Sequence, residues 1–213
     1  MTLLGTPDAS RFRLMAVLDR EWFDGRTPGS LAASLIEGGA TVIQYRDKVS
    51  GVREMIEIAD ILRKTTADAG VPLIVNDRLD VALASGADGI HVGWTDMPAD
   101  RIRRIAPDLC VGFSVSSVEE FEAAPDADYY GVGACFPTGT KTVERIPGPG
   151  LLTELRPRTT RPLVAIGGIH SGNAGEAIRS GADGIAAVSA FLGEKDIRKA
   201  VRAVKAAIEG GVR

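Results

Sequence analysis

The sequence is short of the side chains that most often carry covalent or redox chemistry. It has two cysteines, Cys110 and Cys135, and two histidines, His91 and His170, in 213 residues. Both cysteines lie in apolar, strand-like segments, which predicts buried core residues rather than a disulfide framework. His91 lies in the middle of a predicted strand and is interpreted as a satisfied interior residue, and His170 as a loop residue. No pair of side chains therefore stands out as a nucleophile with its base.

The sequence also lacks long apolar runs and a strong charge of either sign. No segment approaches the roughly 18 apolar residues that a membrane-spanning helix needs. The net charge is −3 and the pI is near 5.5, which argues against nucleic acid or a membrane surface as a partner. Residues 1–20 show no charged segment followed by a long apolar one, so we expect no signal peptide and a cytoplasmic location. The sequence leaves open whether the chain forms a homo-oligomer.

What the sequence does have is a regular alternation of short apolar runs and amphipathic stretches. Residues 54–69 place apolar residues near i, i+3, i+4 and i+7, which is typical of a helix with one buried face. Short continuous apolar runs with helices between them are typical of buried parallel strands. Strands are predicted over residues 14–19, 41–47, 72–77, 89–93, 110–115, 129–136, 162–168 and 184–190.

A weak internal repeat supports this pattern. The segments EGGATVIQ (37–44), SGADGIHV (85–92) and SGADGIAA (180–187) each place a glycine where a helix ends and a strand follows. Their spacing corresponds to two and four units of roughly 24 residues each, and eight such units fill the chain. The prediction is a single (β/α)8 barrel of the TIM-barrel class over residues 1–213. A doubly wound open sheet is the alternative, but no G-x-G-x-x-G follows the first strand.

In (β/α)8 barrels the active site lies at the carboxyl ends of the strands, so the residues there are the candidates. The second strand ends in QYRDK, in which Gln44, Arg46 and Lys48 share one face because side chains alternate along a strand. Lys141 lies in the loop after the sixth strand. Cationic side chains gathered at one mouth would suit a polyphosphate ligand.

Two acidic residues follow neighbouring strands. Asp77 and Asp96 would suit a divalent cation such as Mg²⁺, although each has a simpler interpretation, because aspartate often caps the helix that follows it. Gly168 and Ser189 lie after the seventh and eighth strands, where such barrels often bind a phosphate. Paired glycines after a strand can also serve backbone conformation alone. The co-location of these features predicts a site for a diphosphate with a metal and for a second phosphate.

Six segments, spread over nearly the whole chain, carry a resemblance to a known family. They are TVIQYRDK, NDRLDVALASGADGIHVGWTDMP, GFSVSS, YYGVGACFPTGTK, VAIGGI and GADGIAAVSA. In this order and at this spacing they resemble the thiamine phosphate synthase family. The resemblance implies a (β/α)8 fold and a Mg²⁺-dependent transferase. Its substrates would be 4-amino-2-methyl-5-hydroxymethylpyrimidine diphosphate and 4-methyl-5-(2-hydroxyethyl)thiazole phosphate, and its products thiamine phosphate and diphosphate.

The resemblance also implies roles for individual residues. The pyrimidine diphosphate would be bound by Gln44, Tyr45, Arg46, Asp47, Lys48, Asn76, Ser114 and Lys141, of which Arg46, Lys48, Ser114 and Lys141 would act in catalysis. The thiazole phosphate would be bound by Thr138, Gly139, Thr140, Gly168, Val188 and Ser189. The Mg²⁺ ligands would be Asp77 and Asp96. The reaction would need no protein nucleophile or general base.

The sequence departs from the family pattern at three positions. Tyr45 replaces a leucine, Trp94 replaces a frequent glutamine, and Ser116 replaces a frequent histidine. The last departure bears on the nearest alternative, a thiazole tautomerase, which shares the barrel and uses a histidine after the fifth strand. A catalytically silent phosphate-binding protein and a phosphate-binding isomerase of amino-acid biosynthesis are further alternatives. The complete set of diphosphate and metal residues favours the synthase.

Overall fold

Eight parallel strands form a closed barrel in which neighbours in sequence are neighbours in space and the last strand pairs with the first. The computed structural model describes residues 8–138 and 146–211. The strands are β1 Leu14–Asp19, β2 Val42–Arg46, β3 Leu73–Asn76, β4 Gly89–Val92, β5 Cys110–Val115, β6 Tyr129–Val132, β7 Leu163–Ile166 and β8 Gly184–Ala187. The predicted strands and the (β/α)8 fold are therefore confirmed.

Helices connect successive strands and close the chain after β8. Within the described residues they are α1 Pro28–Gly38, α2 Val52–Asp68, α3 Leu79–Ala84, α4 Ala99–Ile105, α5 Val118–Glu122, α6 Gly150–Leu155, α7 Ala174–Arg179, α8 Ser189–Leu192 and α9 Ile197–Gly211. The helix predicted over residues 54–69 is α2, and its buried residues recur at helical spacing. None of the helices in the part of the chain described combines the length and the apolar composition needed to cross a bilayer.

The last three strands end earlier than predicted: β6 ends at Val132 instead of residue 136, β7 at Ile166 instead of 168 and β8 at Ala187 instead of 190. The last two have a local reason. β7 stops at Ile166 because Gly167 and Gly168 adopt left-handed φ values of 91° and 66°, which an extended strand cannot contain. β8 stops at Ala187 because Val188 has left the extended conformation and is the N-cap of α8. These two turns bring the chain to the carboxyl-end rim of the barrel.

The repeated glycines end helices, as predicted. Gly39, Gly86 and Gly181 have φ values of 111°, 63° and 110°, in the left-handed region that glycine adopts without a steric penalty. At α1 the signals at both helix ends agree. Thr27 accepts a hydrogen bond from the N–H of Ser30, Pro28 occupies the first turn, and Gly39 follows the last residue.

Two residues after each of these glycines lies a polar side chain at the amino-terminal end of the next strand. It accepts a hydrogen bond from a backbone N–H at the amino-terminal end of the neighbouring strand. Asp88 accepts a hydrogen bond from the N–H of Leu73 at 3.0 Å and pairs with Arg63 at 3.0 Å. The same pairing recurs at Asp128, with the N–H of Val111 and with Arg103, and at Asp183, with the N–H of Leu163 and with Arg156. We call Asp88, Asp128 and Asp183 the basal carboxylates. In the first repeat the hydroxyl of Thr41 takes this place and accepts from the N–H of Leu14 at 2.9 Å.

Apolar side chains fill the space between the sheet and the helices and also the interior of the barrel. The interior cluster contains Phe12, Met15, Val17, Val42, Ile74, Cys110, Tyr129, Val164 and Ala186. The ring of Tyr129 lies over Gly112, where an added Cβ would be 2.2 Å from the ring. Cys110 and Cys135 are buried free thiols, which confirms their prediction as core residues. Because the interior is filled, a ligand can enter only at the rim.

Candidate active site

The guanidinium of Arg46 is held by a carboxylate on the adjacent strand. The register of β1 and β2 places Asp19 opposite Arg46, and the two side chains form an ion pair. The second oxygen of Asp19 accepts the N–H of Glu21 at 3.1 Å. The Arg46 side chain keeps 24% exposure while that of Asp19 keeps 2%, so the guanidinium is fixed on one side and open on the other. Sequence reasoning missed Asp19, although a carboxylate that closes a buried strand is the signal that would have found it.

Lys48, Asp77 and Asp96 form a charged cluster on the same rim. The ammonium of Lys48 pairs with the Asp77 carboxylate, which in turn contacts the Asp96 carboxyl. Burial raises the pKa of Asp96 and the contact with Asp77 raises it further, against the opposing effects of the Gly93 N–H and Lys48. The Gly93 nitrogen is 2.7 Å from Oδ2 of Asp96. The predicted cation and the two predicted metal ligands are thus brought together.

Helix capping, the simpler interpretation of both aspartates, is wrong. The N-caps of α3 and α4 are Arg78 and Pro98, and neither helix has a side-chain cap. Asp77 instead adopts a left-handed φ of 63°, and its N–H donates to the carbonyl oxygen of His91 at 2.8 Å. The backbone therefore turns the Asp77 side chain to the rim, where it meets Asp96.

The carboxylate pair has the chemistry of a divalent-cation site. No group of three or more His, Cys, Asp or Glu side chains suited to a metal ion occurs within residues 8–138 and 146–211. Mg²⁺, however, is usually held by one or two carboxylates and completed by waters and substrate phosphates. The contact with Asp77 raises the pKa of Asp96, and a cation between the two carboxylates would stabilise the charged form of Asp96. Asp77 and Asp96 therefore fit Mg²⁺.

Ser114 faces the barrel interior from β5 and is hydrogen-bonded to buried groups beneath it. Its Oγ is 2.8 Å from Nε2 of His91, and Nδ1 of His91 is 2.8 Å from the Tyr129 hydroxyl. His91 is 6% exposed, so its prediction as a satisfied interior residue is confirmed. Gln44 also points inward; its amide donates to Sδ of Met15 at 3.4 Å and hydrogen-bonds the Tyr129 hydroxyl.

Tyr45 and Asp47 lie on the opposite face of β2. Tyr45 packs in the core between the sheet and the helices and donates its hydroxyl to Asp47 at 2.8 Å. Asp47 also accepts the N–H groups of Val49 and Ser50, each at 2.9 Å. Burial alone would raise the pKa of Asp47, but these hydrogen bonds together lower it. Both side chains shape the loop after β2, and their contact with a substrate stays a prediction.

The residues predicted for the second phosphate lie after β7 and β8. An added Cβ at Gly168 would be 2.4 Å from the Pro137 carbonyl oxygen, so this glycine is required where the two loops approach. Val188 and Ser189 form the N-cap and first residue of the short helix α8. Phosphate binding at these positions stays a prediction.

The remaining predicted residues lie at the end of β3 and in the loop after β6. Asn76 ends β3 in register with His91. Thr138 lies in the loop after β6 and is the last described residue before the gap at 139–145, so the predictions for Gly139, Thr140 and Lys141 fall outside the described residues.

Ser116 stands where the tautomerase pattern has a histidine, and here it serves the start of a helix. Its N–H and hydroxyl donate to the Glu120 carboxylate at 2.6 and 2.9 Å, just ahead of α5. A hydroxyl held in this way is not an acid–base group. The loop after β5 therefore gives no support to the tautomerase alternative.

A closed barrel with a cationic, carboxylate-bearing rim at the carboxyl ends of its strands is typical of (β/α)8 enzymes that act on phosphorylated substrates. The profile of the family described as thiamine monophosphate synthase matches residues 14–191. The chain belongs to this family, and the resemblance found in the sequence is confirmed.

Individual relatives agree over nearly the full length. A thiamine-phosphate synthase of Chloroflexus aurantiacus is 46% identical over 200 residues, which are 92% of this chain and 93% of that protein. One of Methanoculleus marisnigri is 45% identical over 199 residues, 91% of this chain and 94% of that protein. Among solved structures, a thiamine phosphate pyrophosphorylase of Pyrococcus furiosus superposes with a TM-score of 0.87 at 38% identity, covering 96% of this chain and 99% of that one.

Proposed function

We propose that this protein is a thiamine-phosphate synthase, a transferase of thiamine biosynthesis. It would join 4-amino-2-methyl-5-hydroxymethylpyrimidine diphosphate to 4-methyl-5-(2-hydroxyethyl)thiazole phosphate and release diphosphate. The observation that carries the proposal is the cluster of Lys48, Asp77 and Asp96 beside Arg46 on one rim, in a chain of this family.

In the proposed reaction the protein stabilises a leaving group and aligns two substrates. The bond between the pyrimidine methylene carbon and the diphosphate oxygen breaks, and the thiazole nitrogen forms the new bond to that carbon. Arg46 and Lys48 bind the diphosphate and stabilise the negative charge that grows on it. Ser114 and Asn76 orient the pyrimidine, so that the barrier falls through positioning and preorganised charge.

Asp77 and Asp96 are proposed to hold Mg²⁺. When bound, the cation would supply positive charge next to the departing diphosphate. The ion pair between Lys48 and Asp77 supports a shared role of the ammonium and the carboxylates in binding the diphosphate and its cation.

No protein nucleophile is part of the proposal. Both thiols are buried, and burial raises the pKa of Cys135 to about 12, so that thiol stays protonated at neutral pH. His91 is engaged at both ring nitrogens.

The thiazole phosphate is proposed to bind at Gly168, Val188 and Ser189, with Thr138. In many (β/α)8 barrels a phosphate lies between the loops after the seventh and eighth strands and the start of a short extra helix. The helix α8, which begins at Ser189 directly after β8, is such a helix.

The proposal is tested by supplying both substrates with and without Mg²⁺ and measuring thiamine phosphate as fluorescent thiochrome. Asp77→Asn keeps the side-chain shape and suits a left-handed backbone, but removes the charge. We expect it to lower kcat/KM by about 100-fold or more. Absence of product from folded wild-type protein would overturn the proposal.

Asp80→Asn is the matched control. Asp80 lies three residues further along and pairs with Arg78, with its side chain 57% exposed. Its variant should retain wild-type activity, whereas equal losses in both variants would show that the effect at Asp77 is not specific to the rim.

A further inference from the structure

Four polar side chains form a continuous hydrogen-bonded line from the centre of the barrel to the rim. In order they are Gln44, Tyr129, His91 and Ser114, joined by the contacts described above. The first three are buried to 3%, 0% and 6% exposure. No substrate role has been assigned to Tyr129 or His91, and a buried polar line of this kind needs an explanation.

The contacts of Gln44, at the inner end of the line, show which group donates and which accepts in each hydrogen bond. The thioether sulfur of Met15 can only accept a hydrogen bond, so the Gln44 group that faces it at 3.4 Å is the NH₂ group. Gln44 also lowers the pKa of Tyr129, which is the effect of an amide N–H directed at the phenol oxygen, so this oxygen is an acceptor. Burial raises the pKa of Tyr129 well above its ordinary value, so the phenol keeps its proton, which is left to be donated to His91.

That donation sets the tautomer of the imidazole. Nδ1 of His91 accepts the Tyr129 proton, so in the neutral ring Nε2 carries the hydrogen. Nε2 then donates to Oγ of Ser114, 2.8 Å away. With one lone pair of the hydroxyl engaged in this way, the Ser114 proton is free to point to the mouth of the barrel.

Packing holds the line in place. An added Cβ at Gly131 would be 3.0 Å from Cε1 of His91, and one at Gly112 would be 2.2 Å from the Tyr129 ring. Both rings therefore fill the space that these glycines leave, and neither can swing away without opening a cavity.

We propose that Gln44, Tyr129 and His91 are positioning residues that orient the Ser114 hydroxyl as a hydrogen-bond donor to an acceptor atom of the pyrimidine substrate. This inference rests on the proposed function for the identity of the ligand, but the tautomer it requires belongs to the free protein. A Ser114 held as a donor would favour a ring nitrogen over an amino group at the atom it contacts, which contributes to substrate recognition.

The tautomer is tested by ¹⁵N NMR of the histidine side chains in the full-length, ligand-free protein. The expected spectrum shows His91 protonated at Nε2 and unprotonated at Nδ1, with the signals assigned by their loss in His91→Asn. In Tyr129→Phe the proton donor to Nδ1 is gone, and the tautomer preference should weaken or invert. Protonation at Nδ1 in the wild-type protein would overturn the inference.

Kinetics test whether the line acts through Ser114. Tyr129→Phe removes one buried hydrogen bond and should lower kcat/KM on the order of tenfold, with no further loss when added to Ser114→Ala. Equal losses in both backgrounds would show a structural role instead. Tyr130→Phe is the control, because the Tyr130 hydroxyl donates to the carbonyl oxygen of Ala124 outside the barrel, at 3.0 Å, and activity should not change.

The two proposals fail in different ways. If the wild-type protein forms no thiamine phosphate, the proposed function fails while the tautomer measurement still stands. If product forms and His91 is protonated at Nδ1, the function holds and the positioning role is wrong.

Discussion

The two ends of the barrel use aspartate in opposite ways. At the amino-terminal end each basal carboxylate binds a backbone N–H of a neighbouring strand and an arginine from a helix. At the carboxyl end Asp77 faces a lysine and a second carboxyl group. The partners at the first end are fixed parts of the fold, whereas those at the second can be exchanged for a ligand.

Burial alone does not separate the two kinds of aspartate. The side chain of Asp88 is fully buried, and that of Asp77 is 16% exposed, yet Asp19 at the carboxyl end is nearly as buried as Asp88. What differs is the partner. A carboxylate satisfied by backbone stabilises the fold, and one satisfied by a mobile cation or opposed by another carboxylate is available for chemistry.

The largest effect is expected at the amino-terminal end. Asp88→Ala removes the acceptor of the Leu73 N–H and of Arg63, and breaking a buried pair of this kind costs about 3–5 kcal/mol. The free energy of unfolding in urea should fall by that amount, while activity per folded molecule stays unchanged. Asp100→Ala, at an exposed pair with Arg104, should change it by less than about 0.5 kcal/mol. If Asp88→Ala instead lost activity at unchanged stability, aspartates at the amino-terminal end could not be called structural in contrast to those at the carboxyl end.

A smaller effect is expected where the guanidinium geometry matters at the carboxyl end. Lysine in place of Arg46 keeps the charge but cannot bind Asp19 with one nitrogen and present others to a diphosphate. We expect Arg46→Lys to raise KM for the pyrimidine diphosphate on the order of tenfold, with little change in stability. The control variant Arg104→Lys on α4 should leave KM unchanged. An unchanged KM in Arg46→Lys would show that the guanidinium does not bind Asp19 and the diphosphate at the same time.

The smallest effect is expected at Tyr45, which lies at the carboxyl end but faces the helices. Tyr45→Phe removes a hydrogen bond to Asp47 and should lower the free energy of unfolding by about 1 kcal/mol at neutral pH. Because the native pKa of Asp47 is lowered, its contribution is complete above the ordinary pKa of about 3.9 and is lost as the pH falls through the native value. The difference between wild type and variant should therefore shrink in acid. A raised KM for either substrate would instead support the predicted substrate contact of Tyr45.

Most of the fold could be predicted from the sequence because buried parallel strands are continuous apolar runs. The repeated glycines also marked helix ends correctly at Gly39, Gly86 and Gly181. The ends of β6, β7 and β8 could not be predicted, because the apolar runs continue past them. At β7 the glycine turn that ends the strand also lies against a distant segment. Gly168, for example, turns where the backbone around Pro137 approaches it.

The candidate site was predictable in its members but not in its pairings. Strand ends identified Arg46, Lys48 and the two acidic residues, whereas the pair between Asp19 and Arg46 follows from strand register. Capping and metal-binding interpretations of Asp77 could not be separated in the sequence, because they differ in the backbone angle of one residue.

The fit between Gly112 and the Tyr129 ring has a consequence for how this sequence can vary over time. An added methyl group at residue 112 would lie where the phenol ring now is, so residue 112 can gain a side chain only if residue 129 becomes smaller. A descendant that gains a side chain at 112 must first accept a smaller residue at 129, and with it the loss of the hydroxyl next to His91. Residue 112 is therefore expected to stay glycine for as long as the Tyr129 ring is retained.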